Sequence, residues 1–342
     1  MRKTLFLSVL MAAAFTPSAQ ATELTAFALM PANTFAIGPT SGQFAGTGAG
    51  GNTLPLQHKQ PVQGISAILR GPTHDSFYIM SDNGFGAKTN SADTILRVYA
   101  VKPEFKTWDG SAVTGSGEVK PVNFVTGSVL SSFDKTSFIN LRDPASVIGF
   151  TTVAEQTTYP NGTNDIAVAK SIKNRHLLTG ADLDVESFRK DKNGHFWFGD
   201  EFGPFLVETN KTGKVLRAEI HTPNIVPTGS TATGDEVMSP QNPYLGTNTA
   251  NLGQSRGYEG MAINPAGNKL YTLLEGTVVG DDAINSTVSK NLRINEFDIK
   301  TRQFTGNNWV YVLENDGTNI GDMTAINEHQ FFSVRTQWNN SD

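Results

Sequence analysis

The feature that most constrains the fold is a strand–turn–strand unit that recurs along the chain. Four apolar and aromatic runs align without gaps, at residues 77–82, 196–201, 270–275 and 331–336. A shorter strand-like run precedes each of them, and turn-forming residues such as Asn193-Gly194 join the two runs. Helical periodicity is scarce, and short β-branched and aromatic runs between turn signals are typical of all-β proteins. We therefore predict an all-β fold.

The spacing of the units predicts a β-propeller. The shorter runs begin at residues 66, 186, 259 and 322, which lie 120, 73 and 63 residues apart. Because the longest step equals about two units, we expect a further unit between residues 105 and 175, and about five blades in total. Propellers usually close their ring by pairing the chain ends, because an open edge strand is a liability. Two alternatives stay open, a five-bladed ring or a chain that lacks its last part.

Each unit carries polar residues at two equivalent positions. The shorter runs begin with Ser66, Glu186, Glu259 and Asp322. The longer runs end with a carboxylate in three units, at Asp82, Glu201 and Glu275. Equivalent strand ends of a propeller lie around one mouth of its channel. We therefore expect six carboxylates to converge there: Asp82, Glu186, Asp200, Glu201, Glu259 and Glu275.

Converging carboxylates favour a metal site. They raise each other's pKa values, and a bound cation relieves their repulsion. We expect calcium, or another divalent cation, because Ca²⁺ takes six to eight oxygen ligands in adaptable geometry. Zinc fits less well, since the 6 histidines show no paired spacing and cysteine is absent. The structural alternative is that these carboxylates accept hydrogen bonds from strand-end amides. For Asp281-Asp282 we expect a solvated loop rather than a peripheral calcium site.

The aligned residues also resemble a known family. The sequences DLDVESF (182–188) with FWFGDEFGP (196–204), and GYEGMA (257–262) with LYTLLE (270–275), are similar to two signatures of the phytase-like family, the "esterase-like activity of phytase" proteins. LRDP (141–144) and LTGAD (178–182) also fit, and the similarity covers most of residues 60–334. The resemblance implies a bacterial, exported, six-bladed propeller that hydrolyses phosphate or other esters.

The chain departs from the family pattern near its end. Family members usually continue into a Glu-Arg-Asp-like stretch, whereas Val334 is followed here by Arg335-Thr336-Gln337. One carboxylate of the ring is therefore expected to be missing, together with closing strands.

The function predicted from these residues is metal-dependent hydrolysis of phosphate esters. Glu201 is the candidate general base, and Arg142 and Arg256 are the candidate phosphate-binding cations. A lactonase or carboxyl-esterase with a bound metal is one alternative, and a non-catalytic, ligand-binding propeller is another. The chain has no Gly-x-Ser-x-Gly elbow, which argues against a serine hydrolase of the α/β class. The GxGxxG match at residues 46–51 opens no helix and predicts a loop.

The N-terminus predicts export. Arg2 and Lys3 precede a short apolar run, and Ala19-Gln20-Ala21 has the form of a cleavage site. We predict a signal peptide over residues 1–21, a single domain over 22–342, and a periplasmic or secreted protein. No later apolar run has transmembrane length. With 27 basic and 32 acidic residues, the chain lacks the basic surface of a nucleic-acid binder. We expect a small-molecule ester as its partner, with no nucleic acid and no protein partner.

Overall fold

The chain folds almost entirely into β-strands. The computed structural model describes residues 24–46, 52–160, 165–284, 290–313 and 318–337, so the predicted signal peptide lies outside the described residues. The only regular helical segments among them are short: α1 (Lys170–Arg175) and 3₁₀ turns at Val153–Glu155 and Asp281–Ile284. The strands in chain order are β1 (Ala26–Phe27), β2 (Phe35–Ile37), β3 (Lys59–Pro61), β4 (Ile65–Arg70), β5 (Phe77–Ser81), β6 (Arg97–Pro103), β7 (Lys106–Trp108), β8 (Val113–Thr114), β9 (Val119–Pro121), β10 (Phe138–Asn140), β11 (Val185–Lys190), β12 (Phe196–Asp200), β13 (Phe205–Thr209), β14 (Ile220–His221), β15 (Tyr258–Ile263), β16 (Lys269–Thr277), β17 (Lys290–Asp298), β18 (Gln303–Leu313), β19 (Thr318–Ala325) and β20 (Phe331–Gln337).

Four sheets correspond to the repeated unit. The first has the order β4-β5-β6-β10, with β9 added beside β6. The second and third are regular antiparallel meanders, β11-β12-β13-β14 and β15-β16-β17-β18, and the fourth is the pair β19-β20. Two small sheets, β1-β7-β8 and β2-β3, accompany them. The aligned runs are the first two strands of each unit, which confirms the four-fold alignment.

The first strands of the four units are neighbours around a common axis. Strand β11 contacts β4 on one side and β15 on the other, while β19 contacts both β15 and β4. Meander sheets whose first strands surround one axis define a β-propeller, so the predicted all-β propeller class is confirmed. The arrangement places the same end of each first strand at one mouth of the channel.

The expected fifth unit between residues 105 and 175 is wrong. Strands β7 to β10 from this segment are two or three residues long and form no new four-stranded blade. β7 and β8 pair with β1 in a small sheet, and β9 and β10 both pair with β6 of the first sheet. The rest of the segment, including α1, packs Val153 and Ile172 against Ile95 in a separate apolar cluster. Strands β4 and β11 are direct neighbours, so no blade separates them. The described residues thus form four units rather than about five, because the long step is an insertion.

Apolar layers between the units fix their relative positions. Side chains alternate across a strand, so β12 sends Phe196 and Phe198 to one neighbour and Trp197 to the other. Phe196 and Phe198 pack with residues of the first sheet such as Met80, whereas Trp197 packs against Phe297 of the third. Tyr271 and Leu273 pack in the same way against Ile320 and Met323 of the fourth unit. These layers hold the first strands rigidly around the channel.

Asp281 is buried and paired, which corrects its prediction as part of a solvated loop. Its two oxygens accept hydrogen bonds from Nε and Nη2 of Arg293 at 2.6 and 2.8 Å, and both side chains are fully buried. Arg293 also donates to Oδ1 of Asn224 at 2.6 Å. The guanidinium neutralises Asp281, so a peripheral cation is not needed there. Asp282 is exposed, as expected for a solvated residue.

We predict that Asp281→Ala lowers the free energy of unfolding by about 3–5 kcal/mol, because it leaves a buried guanidinium without its counter-charge. The neighbouring Asp282→Ala is the matched control and should change that free energy by less than about 0.5 kcal/mol. Urea denaturation of both variants measures the difference. Equal effects at the two positions would show that the ion pair does not stabilise the fold.

Candidate metal centre

A β-bulge lies in the first strand of each unit, where the alignment places the recurring polar residue. In β11, Val185 pairs with Asp200 and Ser187 with Gly199, so Glu186 is the extra residue. In β15, Glu259 is the extra residue for the same reason, between Tyr258 and Gly260. A bulge removes its extra residue from the ladder and re-aims the side chain. Both glutamates therefore leave the strict alternation of the strand.

The first and fourth units repeat this irregularity. In β4, Ile65 pairs with Ser81 and Ala67 with Met80, which leaves Ser66 as the extra residue. In β19, the register shifts between Ile320 and Met323, across the segment that contains Asp322. All four residues at the first polar position of the repeat thus lie at a bulge.

The second polar position is also structurally equivalent between units. The backbone N–H groups of Asp82, Glu201 and Glu275 each donate a 2.8 Å hydrogen bond to a carbonyl oxygen across the hairpin. The three acceptors are Gly64, Asp184 and Gly257, and each lies two residues before the bulge residue of its unit. Asp82 and Glu201 directly follow β5 and β12, whereas Glu275 lies within β16. The shared hydrogen bond places each of them beside the start of the first strand of its unit. Both polar positions therefore lie at the same end of the sheet.

Five carboxylates from the second and third units form two overlapping groups. Oxygens of Asp184, Glu186 and Glu201 lie within 4.8 Å of one another, and oxygens of Glu201, Glu259 and Glu275 do the same. Two ligands of one Ca²⁺ are at most about 5 Å apart, because each Ca–O bond is about 2.3–2.6 Å. Both groups fit this limit and offer only oxygen donors, which suits a hard cation and not zinc. Glu201 belongs to both.

Burial and mutual repulsion raise the pKa values of these carboxyl groups. Burial, then the charges of Asp82 and Asp200, raise the pKa of Asp184 to about 7. Burial, then the charge of Glu275, raise the pKa of Glu259 to about 8. The pKa values of Glu186 and Glu201 lie well above the ordinary range, chiefly through burial and then through the charge of Asp184. Without a cation, burial and mutual repulsion therefore favour the protonated forms of Asp184, Glu186, Glu201 and Glu259.

Asp184 is a member of the centre that the repeat did not predict. It lies immediately before β11, and Asn83 holds its carboxylate with an Nδ2 donor at 2.8 Å and a backbone N–H at 3.3 Å. The equivalent positions in the first and third units are Gly64 and Gly257. A search for recurring polar residues therefore passes over Asp184, although it lies inside the DLDVESF motif.

Asp82 and Asp200 lie beside the centre but belong to neither group of three. Both oxygens of Asp200 accept backbone hydrogen bonds, from Asp184 at 2.8 Å and Gly203 at 2.7 Å, so it fits the structural alternative. Asp82 accepts the N–H of Gly84 at 2.7 Å. Burial raises the pKa of each to about 6. Their charges act on Asp184, which places them within electrostatic reach of the centre.

The two predicted phosphate-binding arginines lie in different places. Arg256 forms an ion pair with Glu275, and its charge also lowers the pKa of Glu259, so it lies at the centre. Arg142 instead lines a separate cavity with Lys135 and Arg175, which contains no carboxylate of the centre. The structure therefore brings Arg256 to the predicted site and does not bring Arg142.

Sequence reasoning missed two other cations near the centre. Lys88 lies over the ring of Phe202 at 4.9 Å; burial lowers its pKa, and the charges of Asp200 and Asp182 oppose that shift. Arg189 is buried and donates to Asp322 at 2.8 Å, so it neutralises the carboxylate of the fourth unit. Neither residue occupies a recurring position, which is why the repeat gives no signal for them.

A further acidic group, formed by Asp191, His195 and Glu208, is already neutralised. Glu208 accepts hydrogen bonds from Arg217 at 2.8 Å and from Arg302 at 2.9 Å, and His195 contacts it at 2.8 Å. Because these partners supply the counter-charge, the group connects neighbouring units and is not a candidate cation site.

The fold and the site define the class of protein: a β-propeller with a polycarboxylate centre at one mouth of its channel. The sequence model of the Phytase-like family, described as esterase-like activity of phytase, matches residues 60–340, and the chain belongs to that family.

Other comparisons give more distant likenesses. An uncharacterized secreted protein of Arthroderma benhamiae is 26% identical over 128 residues, which make up 34% of this chain and 24% of that protein. The match thus spans about a quarter of the relative's length. Among solved structures, Saccharomyces cerevisiae Sqt1 shares 9% identity at a TM-score of 0.31, covering 80% of this chain and 57% of that one. The Cps50 (Swd1) β-propeller domain of Myceliophteria thermophila shares 10% identity at a TM-score of 0.28, with coverages of 76% and 64%. Within the described residues, the helices are too short or too polar to cross a membrane.

Calcium should raise the melting temperature of the protein, because a ligand that binds only the folded state stabilises it by about 2.7 kcal/mol at a hundredfold excess over Kd. The double variant Glu186→Gln with Glu259→Gln should lose this rise. Glu118→Gln, which removes an exposed carboxylate elsewhere, should retain it. Thermal unfolding with and without Ca²⁺ measures the effect. An unmoved melting curve of the unmodified protein would contradict the metal centre.

Stability should fall as pH rises when divalent cations are removed. The pKa of Glu259 is about 8 in the folded state against 4.5 for the free side chain, so the folded protein binds the extra proton between these values. Its contribution is fully present below about pH 4.5 and lost as the pH passes about 8. Urea denaturation in chelator across this range should show the decline, and saturating Ca²⁺ should flatten it. A pH-independent free energy of unfolding in chelator would be inconsistent with this cluster.

Proposed function

We propose that this chain is an exported, metal-dependent esterase that hydrolyses phosphate esters at the carboxylate centre. The observation that carries the proposal is the pair of overlapping carboxylate groups that share Glu201. The family description, esterase-like activity of phytase, supports the reaction class. The secreted relative and the signal-like N-terminus support export.

Asp184, Glu186, Glu201, Glu259 and Glu275 would hold the cation. A divalent cation bound among them would neutralise phosphoryl oxygens and orient a water molecule. The side chains are preorganised for this role, because the bulges and the backbone hydrogen bond that three of the hairpins share fix where the carboxylates lie. Asn83 fixes Asp184 in the same way.

Glu201 is the proposed proton acceptor. The attacking water oxygen forms a bond to phosphorus, the water proton passes to Glu201, and the P–O bond to the alcohol breaks. The departing alkoxide takes up the proton that Glu201 has accepted and leaves as the alcohol, which returns Glu201 to its carboxylate form. Burial, then the charges of Asp184 and Glu259, raise the pKa of Glu201, so its carboxylate holds an accepted proton more strongly than an ordinary glutamate does.

Arg256 and Lys88 are the proposed phosphate-binding cations. Arg256 is partly exposed and lies beside Glu275. Lys88 lies close enough to Asp200 and Asp182 for their charges to oppose the lowering of its pKa by burial. Arg142 has no part in this site, because it lines a different cavity.

A second candidate is hydrolysis of a carboxyl ester or lactone by the same metal centre. The shortage of unpaired cations favours it, because Arg256 is paired with Glu275 and Arg189 with Asp322. Lys88 is the remaining nearby cation, and no ion pair is recorded for it among the described residues. An uncharged ester needs fewer counter-charges than a phosphate dianion.

A substrate panel separates these functions. Purified protein is assayed with a phosphate monoester, phytate and a lactone, each with Ca²⁺ and with chelator. We expect Ca²⁺-dependent release of phosphate, and a loss of about 100-fold or more in kcat for Glu201→Gln, because general base catalysis contributes about 10²–10⁴-fold. Glu118→Gln should keep full activity. Hydrolysis of the lactone alone would establish the second candidate. Absence of any turnover, with calcium still bound, would favour a non-catalytic binding propeller.

A further inference from the structure

A cationic cleft lies away from the metal centre. Two adjoining cavities, with volumes of about 560 and 480 Å³, share Lys135, Phe138, Asn140 and Arg175 as lining residues. We propose that this basic cleft, defined by Arg97, Lys135, Arg142 and Arg175, binds a tetrahedral oxyanion: a phosphate group, free or esterified. The proposal does not depend on the proposed function of the metal centre.

The lining of the basic cleft has one sign of charge. Arg97 lines the larger cavity, Arg142 the smaller, and Lys135 and Arg175 line both. No aspartate or glutamate of the described residues lines either cavity. Uncharged donors lie among the cations, namely Asn140, Ser171, Asn174 and Thr212. Lys135 also interacts with Asp134, which lies outside the lining. Within the lining the four cations face no carboxylate, so they repel each other, and a bound anion would relieve that repulsion.

Arg97 gives this cleft a buried hydrogen-bond donor that has no partner among the described residues. Arg97 is the first residue of β6, and it is only 3% exposed. Nε donates to Oδ1 of Asn140 at 2.8 Å, and the guanidinium lies 3.9 Å from the ring centre of Phe138. Nη1 is buried without a hydrogen-bond partner in the described structure. Burying an unsatisfied charged donor is costly, so the site favours an acceptor that enters the cavity.

The surroundings of Arg97 increase that cost. Burial lowers its pKa, Tyr99 opposes this shift, and the charge of Arg175 lowers the pKa further. Arg175 ends α1 and is exposed, and the structure records no ion pair for it or for Arg142 within the described ranges. Nη2 of Arg142 donates only a 3.3 Å hydrogen bond, to Thr212. Donors therefore remain for a ligand.

A tetrahedral oxyanion matches this set of donors. Guanidinium groups bind phosphate oxygens with two parallel hydrogen bonds, and three arginines line the cleft. The cavity volumes suit a small phosphorylated molecule rather than a polymer. Arg142, which the sequence predicted to bind phosphate, contributes to this cleft instead of to the metal centre.

The test measures binding of inorganic phosphate by calorimetry in chelator, at constant ionic strength. We expect saturable binding, weakened about tenfold or more by Arg175→Gln or Arg142→Gln, as for the loss of a charge-assisted hydrogen bond. Arg70→Gln is the control, because Arg70 is an exposed arginine of β4 that lines neither cavity. Both test residues have exposed or half-buried side chains, so their variants should fold, and unchanged melting temperatures without phosphate check this.

Further ligands and one variant complete the test. Glycerol 3-phosphate that binds more tightly than phosphate would identify the ligand as an ester, and the reverse order would identify free phosphate. Phosphate binding should persist in Glu201→Gln, because this variant changes the metal centre and leaves the basic cleft intact. The result therefore tests the basic cleft independently of the esterase proposal. The inference is overturned if phosphate binds no better than chloride or acetate, or if Arg70→Gln weakens it as much as Arg175→Gln.

Discussion

The bulge at the start of each first strand is the constraint on which the metal centre depends. A residue in the regular ladder points to one face of its blade, and both faces pack against apolar layers between units. A glutamate at such a position would bury its charge among residues such as Phe188 and Met261. By leaving the ladder, Glu186 and Glu259 place their carboxylates with Glu201 and not between the blades. The apolar layers and the acidic centre are therefore compatible only because of one extra residue per strand.

Concentrating carboxylates in this way is unfavourable by itself, and the fold offsets it unevenly. Backbone amides stabilise Asp200, Asn83 stabilises Asp184, and Arg189 neutralises Asp322. The charge of Arg256 offsets the shift of Glu259 only in part, and burial keeps the pKa values of Glu186, Glu201 and Glu259 well above the ordinary range. Each of these three glutamates belongs to a group whose carboxylate oxygens lie within 4.8 Å of one another, and Glu201 belongs to both groups. This pattern is expected of a set of metal ligands. A carboxylate whose lone pairs already accept hydrogen bonds has fewer lone pairs to offer a cation.

The sequence predicted whatever recurs and failed where a residue acts alone. The propeller class and the two polar positions could be predicted because the same residue types recur at equivalent positions of the repeat, and equivalent blades contain equivalent strands. Asp184 has glycines at its equivalent positions, so no repeat could reveal it. Arg142 was expected beside the carboxylates, because a sequence motif indicates the chemistry of a residue but not its position in the fold. Arg142 lies in the insertion before β11 and lines another cavity. The fifth unit was wrong because a count of residues does not distinguish a blade from an insertion.

The metal centre is acidic, whereas the separate cleft is basic. The negative charge of the metal centre decides whether a substrate can bind there before the cation does. Ionised carboxylates within 4.8 Å of each other repel a phosphate dianion, and the nearby guanidinium groups of Arg256 and Arg189 already pair with Glu275 and Asp322. A phosphate ester would therefore bind there only after a cation has reversed the local charge, whereas an uncharged lactone meets no such barrier. Because the basic cleft needs no metal, phosphate should still bind to the chain in chelator. The dependence of substrate affinity on the cation, more than the catalysed rate, thus distinguishes a phosphoesterase from a lactonase on this scaffold.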